Sequence, residues 1–231
     1  MRLAATEYGR NLDQLRSLEP EHWSLSTDCP AWDVRAMATH NLGMAEMVAS
    51  FRENLRQNRA ATRRGGLFID ALTGLQVEER ATMTPPQIVA RYAQVGPRAA
   101  RARRRMPALL RRRVMPVAQP VGGIDEPWTI GYLIDTILTR DTWMHRVDTA
   151  QATGRPLVLT PDHDGVLVAD VVAEWAGRHD VPCVLRLTGP AGGQWQFGTG
   201  GPELELDPVE FCRILSGRAA GHGLLDVAVP F

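Results

Sequence analysis

The 231-residue chain contains no lysine, so all 26 of its basic residues are arginine. That absence excludes a Schiff-base lysine and the lysine of a phosphate-binding P-loop. Cysteine is scarce: Cys29, Cys183 and Cys212 are odd in number, widely spaced and never paired as CxxC. This argues against a disulfide framework and for a reducing, cytoplasmic setting. No apolar run approaches the ~18 residues of a membrane span. The opening MRLAATEYGRNLDQL meets charge and amide too early for a signal-peptide core, so neither leader nor membrane partner is expected. Net charge is also absent, with 26 acidic residues against the 26 arginines.

What is present is a folding composition, with 44% hydrophobic and 23% charged residues. The length allows one large domain or two modest ones. The neutral total is unevenly distributed: residues 1–115 hold 19 Arg and 11 acids, residues 116–231 hold 7 Arg and 15 acids. The two signs are expected to meet within the fold. Eight arginines crowd residues 98–113, but no aromatic interleaves them and no DNA-binding motif accompanies them, so no nucleic-acid partner is expected.

Four long helical patterns fill the first two-thirds. They cover residues 3–18, about 34–59 capped by Asp33, about 85–113 capped by Thr84 and kinked or interrupted at Pro97, and about 130–153 capped by Thr129. A short helix over about 67–73 is a further expectation. Residues 114–128 read as an extended loop. Long helices with moderate connections suggest an antiparallel four-helix bundle. After Pro156 come a helix to about Arg178, β-like runs at 181–187, 194–198 and 203–206, a helix from Pro208 to about Ser216, and a tail suited to a strand. The fold class expected is α plus α+β, with a bundle over 1–154 and a small α+β domain over 155–231.

The strongest chemical constellation lies on the fourth helix. Asp141 and His145 are four apart and share a face. His40, flanked by Met37, Ala38, Leu42 and Met44, faces the bundle interior. Together they offer an N/O ligand set of the type that suits zinc or nickel and leaves positions open. Spacing alone leaves other readings open: a hydrogen-bonded core histidine at His40, an Asp141–His145 ion pair, and an Asp148 that bridges to a loop. Trp23, Trp32, Trp128 and Trp143 read as core or loop anchors and not a ligand cage, with a place at the pocket wall as the alternative for Trp143.

Three stretches resemble one family. The run HWSLSTDCPAWDVRAMATHNLG (22–43) is similar to the Trp…Ser/Thr…Cys-Pro-Gly-Trp-x-Val-Arg-x-x-x-x-His signature of the mycothiol-dependent maleylpyruvate isomerase family, within the DinB-like metalloprotein superfamily. Residues 128–156, with His145, Arg146 and Asp148, resemble its fourth helix, and 185–218 resemble its C-terminal domain. The resemblance thus spans nearly the whole chain in order.

It implies a DinB-like four-helix bundle, an actinobacterial source and a divalent metal on His40, Asp141 and His145. Asp141 stands where the family has glutamate, one methylene longer. The implied cosubstrates are mycothiol, or a related thiol, and a small electrophile, which the enzyme isomerises or to which it transfers the thiol. Arg218, with Arg213 behind it, is the candidate for orienting an anionic substrate, because a guanidinium grips carboxylates bidentately. The rival readings are a member that has lost metal and thiol chemistry and acts in binding or regulation, and a hydrolase using the metal to activate water. Monomer and homodimer are both compatible with the sequence.

Overall fold

The structure, a computed structural model, describes residues 2–231. Its residues group into two compact units. The first runs to Arg113 and resumes over Gly131–Arg155; the second comprises Val114–Ile130 and Pro156–Phe231.

In chain order the first unit contains α1 (Arg2–Arg16), α2 (Val34–Ala49), α3 (Phe51–Arg64), α4 (Phe68–Glu78), α5 (Pro85–Arg105) and the single turn α6 (Ala108–Arg111). A final rod follows: α7 (Ile130–Tyr132), a π-helical stretch Leu133–Ile137, and α8 (Leu138–Thr153). Helices α1, α2, α5 and α8 pack as the bundle, while α3 and α4 pair with each other and lie on α2. Tyr8, Leu15, Trp23, Leu42, Ile88, Tyr92 and Val95 form the main core. Met47, Ala61 and Leu72 form a smaller one between α2, α3 and α4.

The caps explain the boundaries. Asp33 accepts from the Ala36 N–H at 2.7 Å and starts α2. Thr84 and Gln87 form a reciprocal capping box that starts α5, with Pro85 in the first turn. The single helix expected over 34–59 is instead two. Ser50 adopts an extended conformation and its hydroxyl accepts from the Glu53 N–H, an N-cap typically worth about 1 kcal/mol. The expected interruption at Pro97 does not occur, and α5 runs unbroken through it. The residue before this proline is Gly96, which has no Cβ to meet the pyrrolidine ring. The helix ends at Arg105, ahead of Pro107.

Of the eight clustered arginines, two are taken into the structure. Arg103 is buried, with its guanidinium 5.8 Å over the Tyr8 ring and bonded to the Thr139 hydroxyl. Arg111 pairs with Asp135. The other six are exposed.

In the second unit, residues 114–128 are more ordered than the expected loop. Strands β1 (Gln119–Val121) and β2 (Ile124–Glu126) form an antiparallel hairpin. Its turn, Gly122-Gly123, has φ of 55° and 82°, the left-handed pair that a tight primed turn requires. Beyond Pro156 come α9 (Asp164–His179), β3 (Cys183–Leu187), β4 (Gly193–Phe197), β5 (Glu203–Leu206) and α10 (Pro208–Leu215). The sheet order is β4-β3-β5, with β3 antiparallel to β4 and parallel to β5. Cys183, Leu185 and Leu187 alternate inward from β3, and Val168, Val171, Val172, Trp175 and Phe211 are buried with them. Arg178 clamps the hairpin to α9 through Glu126 at 2.6 Å and Glu174 at 2.7 Å. The tail expected as a strand forms a 3-10 turn, Gly223–Asp226, after which the Val229 N–H bonds the Leu215 carbonyl.

Candidate metal centre

Helix α8 is buried on nearly every side, from Leu138 to Ala150 with only Asp141 part-exposed. A helix in that position must satisfy its polar side chains internally. Arg146 does so across the bundle, its Nε donating to Glu7 Oε1 at 2.7 Å, where Glu7 is itself buried. Arg146 thus holds α8 against an acid of α1. The π-helical stretch just before α8 offsets the register of the residues that follow, a distortion frequent at functional sites.

His40 comes from the middle of α2 and Asp141 and His145 from α8. His145 Nε2 lies 3.3 Å from Asp141 Oδ1, and His40 Nε2 lies 3.6 Å from Asp141 Oδ2. The ligand atoms of all three residues lie within 4.8 Å of one another. Two ligands each ~2.1 Å from one tetrahedral ion sit roughly 3.4 Å apart, so both nitrogen–oxygen separations suit a shared ion. The short Asp141 side chain therefore reaches both histidines.

The outer nitrogens are engaged too. His145 Nδ1 lies 3.0 Å from Asp148 Oδ2, and His40 Nδ1 lies 2.9 Å from Gln76 Oε1. Partners of this kind orient ligand imidazoles in metal proteins, leaving Nε2 to face the ion. Cys29 Sγ is 4.0 Å from the same Asp148 oxygen, so the expected bridge from Asp148 to the loop is found, with His145 as its second end. Cys29, His145 and Asp148 also satisfy the spacing of a ligand group. The Nδ1···Oδ2 hydrogen bond, however, occupies the atoms such a group would use.

Aromatic packing closes one side. The Trp32 ring lies 4.8 Å from the His40 ring and 5.7 Å from the His145 ring, and the two imidazoles meet edge to face at 5.2 Å. Trp143 is the fully buried core residue expected, and the tryptophan at the histidines is Trp32 instead. Both histidines are buried, while the Asp141 side chain is 21% exposed and marks the side open to a ligand.

The charges reinforce one another. Burial alone would raise the Asp141 carboxyl, but the charge of His145 and its hydrogen bond, with His40 adding a smaller effect, outweigh it and hold it well below the ordinary carboxylate range. Burial alone would lower the His145 imidazole, but Asp141 and then Asp148 outweigh it and raise it to about 9. An imidazole between two carboxylates binds a cation of any kind strongly. A proton and a divalent metal compete for it.

Residues 4–150 match the family model described as the mycothiol maleylpyruvate isomerase N-terminal domain. The chain belongs to that family. A crystal structure of the mycothiol-dependent maleylpyruvate isomerase superposes with a TM-score of 0.60 at 15% identity, over 95% of this chain and 88% of that one. A mutant of the same enzyme, with one histidine replaced by alanine, superposes with a TM-score of 0.56 at the same identity and coverage. At that identity the likeness establishes the fold, a DinB-like helical bundle followed by an α+β unit. No curated protein matches the chain by sequence.

In this mycothiol maleylpyruvate isomerase family member, Arg218 lies in the second unit, in the turn after α10. It is half-buried, and its N–H bonds the Arg213 carbonyl at 2.8 Å. Arg213 pairs with Glu210 at 2.6 Å on the same helix. Cys183 and Cys212 are fully buried core residues. No helix among the described residues is long and apolar enough to cross a membrane.

Proposed function

We propose that the chain is a metal-dependent thiol enzyme. It would use mycothiol or a related low-molecular-weight thiol to isomerise a small electrophile or to transfer the thiol to it. The observation that carries this reading is the convergence of His40 Nε2, His145 Nε2 and the Asp141 carboxylate at separations suited to a single ion, in a chain of this family. Zinc, when bound, supplies a charge that lowers the pKa of a thiol and holds it as the nucleophilic thiolate. Nickel is the second choice for this donor set.

The residues divide the work. His40 and His145 present Nε2 from opposite helices, each turned by the partner on its other nitrogen. Asp141 adds negative charge that offsets the ion and lies on the exposed side, where a thiol and an electrophile would approach. Trp32 excludes water from the ring faces. Addition of the thiol sulfur to one carbon of a conjugated cis double bond leaves a single bond free to rotate. Expulsion of the same thiol then restores the double bond as trans, so the thiol is regenerated. A carboxylate on the substrate would need a cation, and Arg218 is the candidate in our reading.

The test is metal analysis of protein purified without a metal-binding tag, followed by cis–trans isomerisation assays with and without mycothiol. The expected result is a single ion per chain and turnover only when thiol is present. Protein without metal, whose His40→Ala variant keeps its stability and ligand binding, would favour a member that binds or regulates without catalysis. Cleavage of an ester or amide probe by water, without thiol, would favour a hydrolase.

A further inference from the structure

The amides of Gln57 and Gln76 are both completely buried, and their surroundings dictate which way each one faces. Gln57 Nε2 lies 3.1 Å from the Gly43 carbonyl oxygen and 2.9 Å from Glu53 Oε1. A carbonyl accepts only. Glu53 does too at neutral pH, because its hydrogen bond from Arg56 lowers its carboxyl to about 2 against the opposing effect of burial. The nitrogen of Gln57 must therefore face these two oxygens, leaving Gln57 Oε1 toward Gln76.

That oxygen lies 2.9 Å from Gln76 Nε2, whose other neighbour is Met44 Sδ at 3.0 Å. Both are acceptors, so the orientation of Gln76 follows from that of Gln57. Gln76 Oε1 is then directed at His40 Nδ1, 2.9 Å away. An amide oxygen accepts, so Nδ1 must carry the proton. A neutral imidazole protonated at Nδ1 has its lone pair on Nε2, the nitrogen that faces Asp141. The isolated histidine side chain prefers the opposite tautomer, with the proton on Nε2.

We propose that Gln57 and Gln76 are positioning residues that lock His40 in the tautomer able to give Nε2 to a divalent metal. This rests on the reading of His40 as a ligand. Gly43 makes the lock fit. A Cβ at that position would lie 2.7 Å from both Cβ and Cγ of Gln76, so only glycine lets α4 bring Gln76 against α2. The Gly43 carbonyl is also one of the acceptors that start the relay.

The tautomer can be read directly and without activity. Protein labelled with 15N-histidine, stripped by a chelator and held above the imidazole titration range, is examined by long-range proton–nitrogen correlation. Wild type is expected to show His40 protonated at Nδ1. Gln76→Leu removes the acceptor and is expected to shift His40 toward the Nε2-protonated form, with zinc affinity about 10–100-fold lower. Gln76→Glu keeps an acceptor facing Nδ1 and is expected to retain the wild-type tautomer, a rescue that a purely packing role would not produce.

A wild-type His40 protonated at Nε2 would overturn the lock, as would Gln76→Leu with unchanged tautomer and zinc affinity. Should Gln76→Leu fail to fold, Gln76→Glu decides: Nδ1 protonation supports the lock and Nε2 protonation overturns it. Wild type that carries Nδ1–H at His40 but takes up no zinc would count against the metal centre and leave the lock standing.

Discussion

The Nδ1 nitrogen of His145 lies 3.0 Å from Oδ2 of Asp148, a carboxylate with no solvent exposure. The two residues are one helical turn apart, so the helix itself sets the ring's orientation. Asp148→Asn keeps an oxygen for the ring N–H but removes the charge that makes the imidazole a stronger base. Zinc affinity is expected to fall about tenfold or more, with little loss of fold. Competition against a chromophoric chelator measures it.

Metal and proton compete for His145, which fixes the sign of the pH dependence. In chelator-stripped protein the imidazole is raised from its ordinary 6.5 to about 9, since Asp141 and Asp148 outweigh burial. The charged pair therefore stabilises the stripped fold fully below about 6.5 and loses that contribution as pH climbs toward 9. Metal affinity runs the other way, rising with pH and levelling off above about 9. Calorimetry in buffers of different ionisation enthalpy should detect proton release on zinc binding at neutral pH.

Asp141 tests how far the site tolerates the length of its carboxylate. Its oxygens already face both Nε2 atoms at 3.3 and 3.6 Å, and the side chain is part-exposed. Asp141→Glu therefore has room to swing outward and is expected to retain a single ion per chain. Asp141→Ala is expected to lose it. Trp32, 4.8 Å from His40, gives the measurement a second signal. Zinc titration should change tryptophan fluorescence in wild type and Asp141→Glu, but not in Asp141→Ala or Trp32→Phe.

The grouping of His40, Asp141 and His145 was legible because its cues are local. An Asp and a His four apart share a helix face, and the apolar neighbours of His40 turn it inward. Gln76 was not legible, because it sits 36 residues from His40 and meets it only where Gly43 lets α4 lie close to α2. Trp32 was read as an anchor, since its position over His40 depends on how the loop before α2 folds back. In the fold, Ser50 sits within an uninterrupted helical pattern, so the break there rests on a capping contact that periodicity does not report. Strands of three residues, β1 and β2, are too short to show alternation, though Gly122-Gly123 carried the turn signal. The α9 helix and β3 were legible from their apolar spacing, and β4 and β5 from alternation between turn glycines.

The buried pair of Glu7 and Arg146 gives a test of stability apart from the metal. Arg146 follows His145 on α8 but points to the other side, where its Nε donates to Glu7 Oε1 at 2.7 Å and ties α8 to α1. Both side chains are almost fully buried, so neither charge can turn to water when the other is removed. Glu7→Ala is expected to destabilise the fold by about 3–5 kcal/mol, far beyond the loss from an exposed pair. Replacing both residues with apolar ones of similar size should cost much less than the two single losses added together, because no buried charge is then stranded. Urea unfolding of the four members of the double-mutant cycle measures the coupling. A Glu7→Ala loss below about 1 kcal/mol would show that the pair is not what fastens α8 in the bundle.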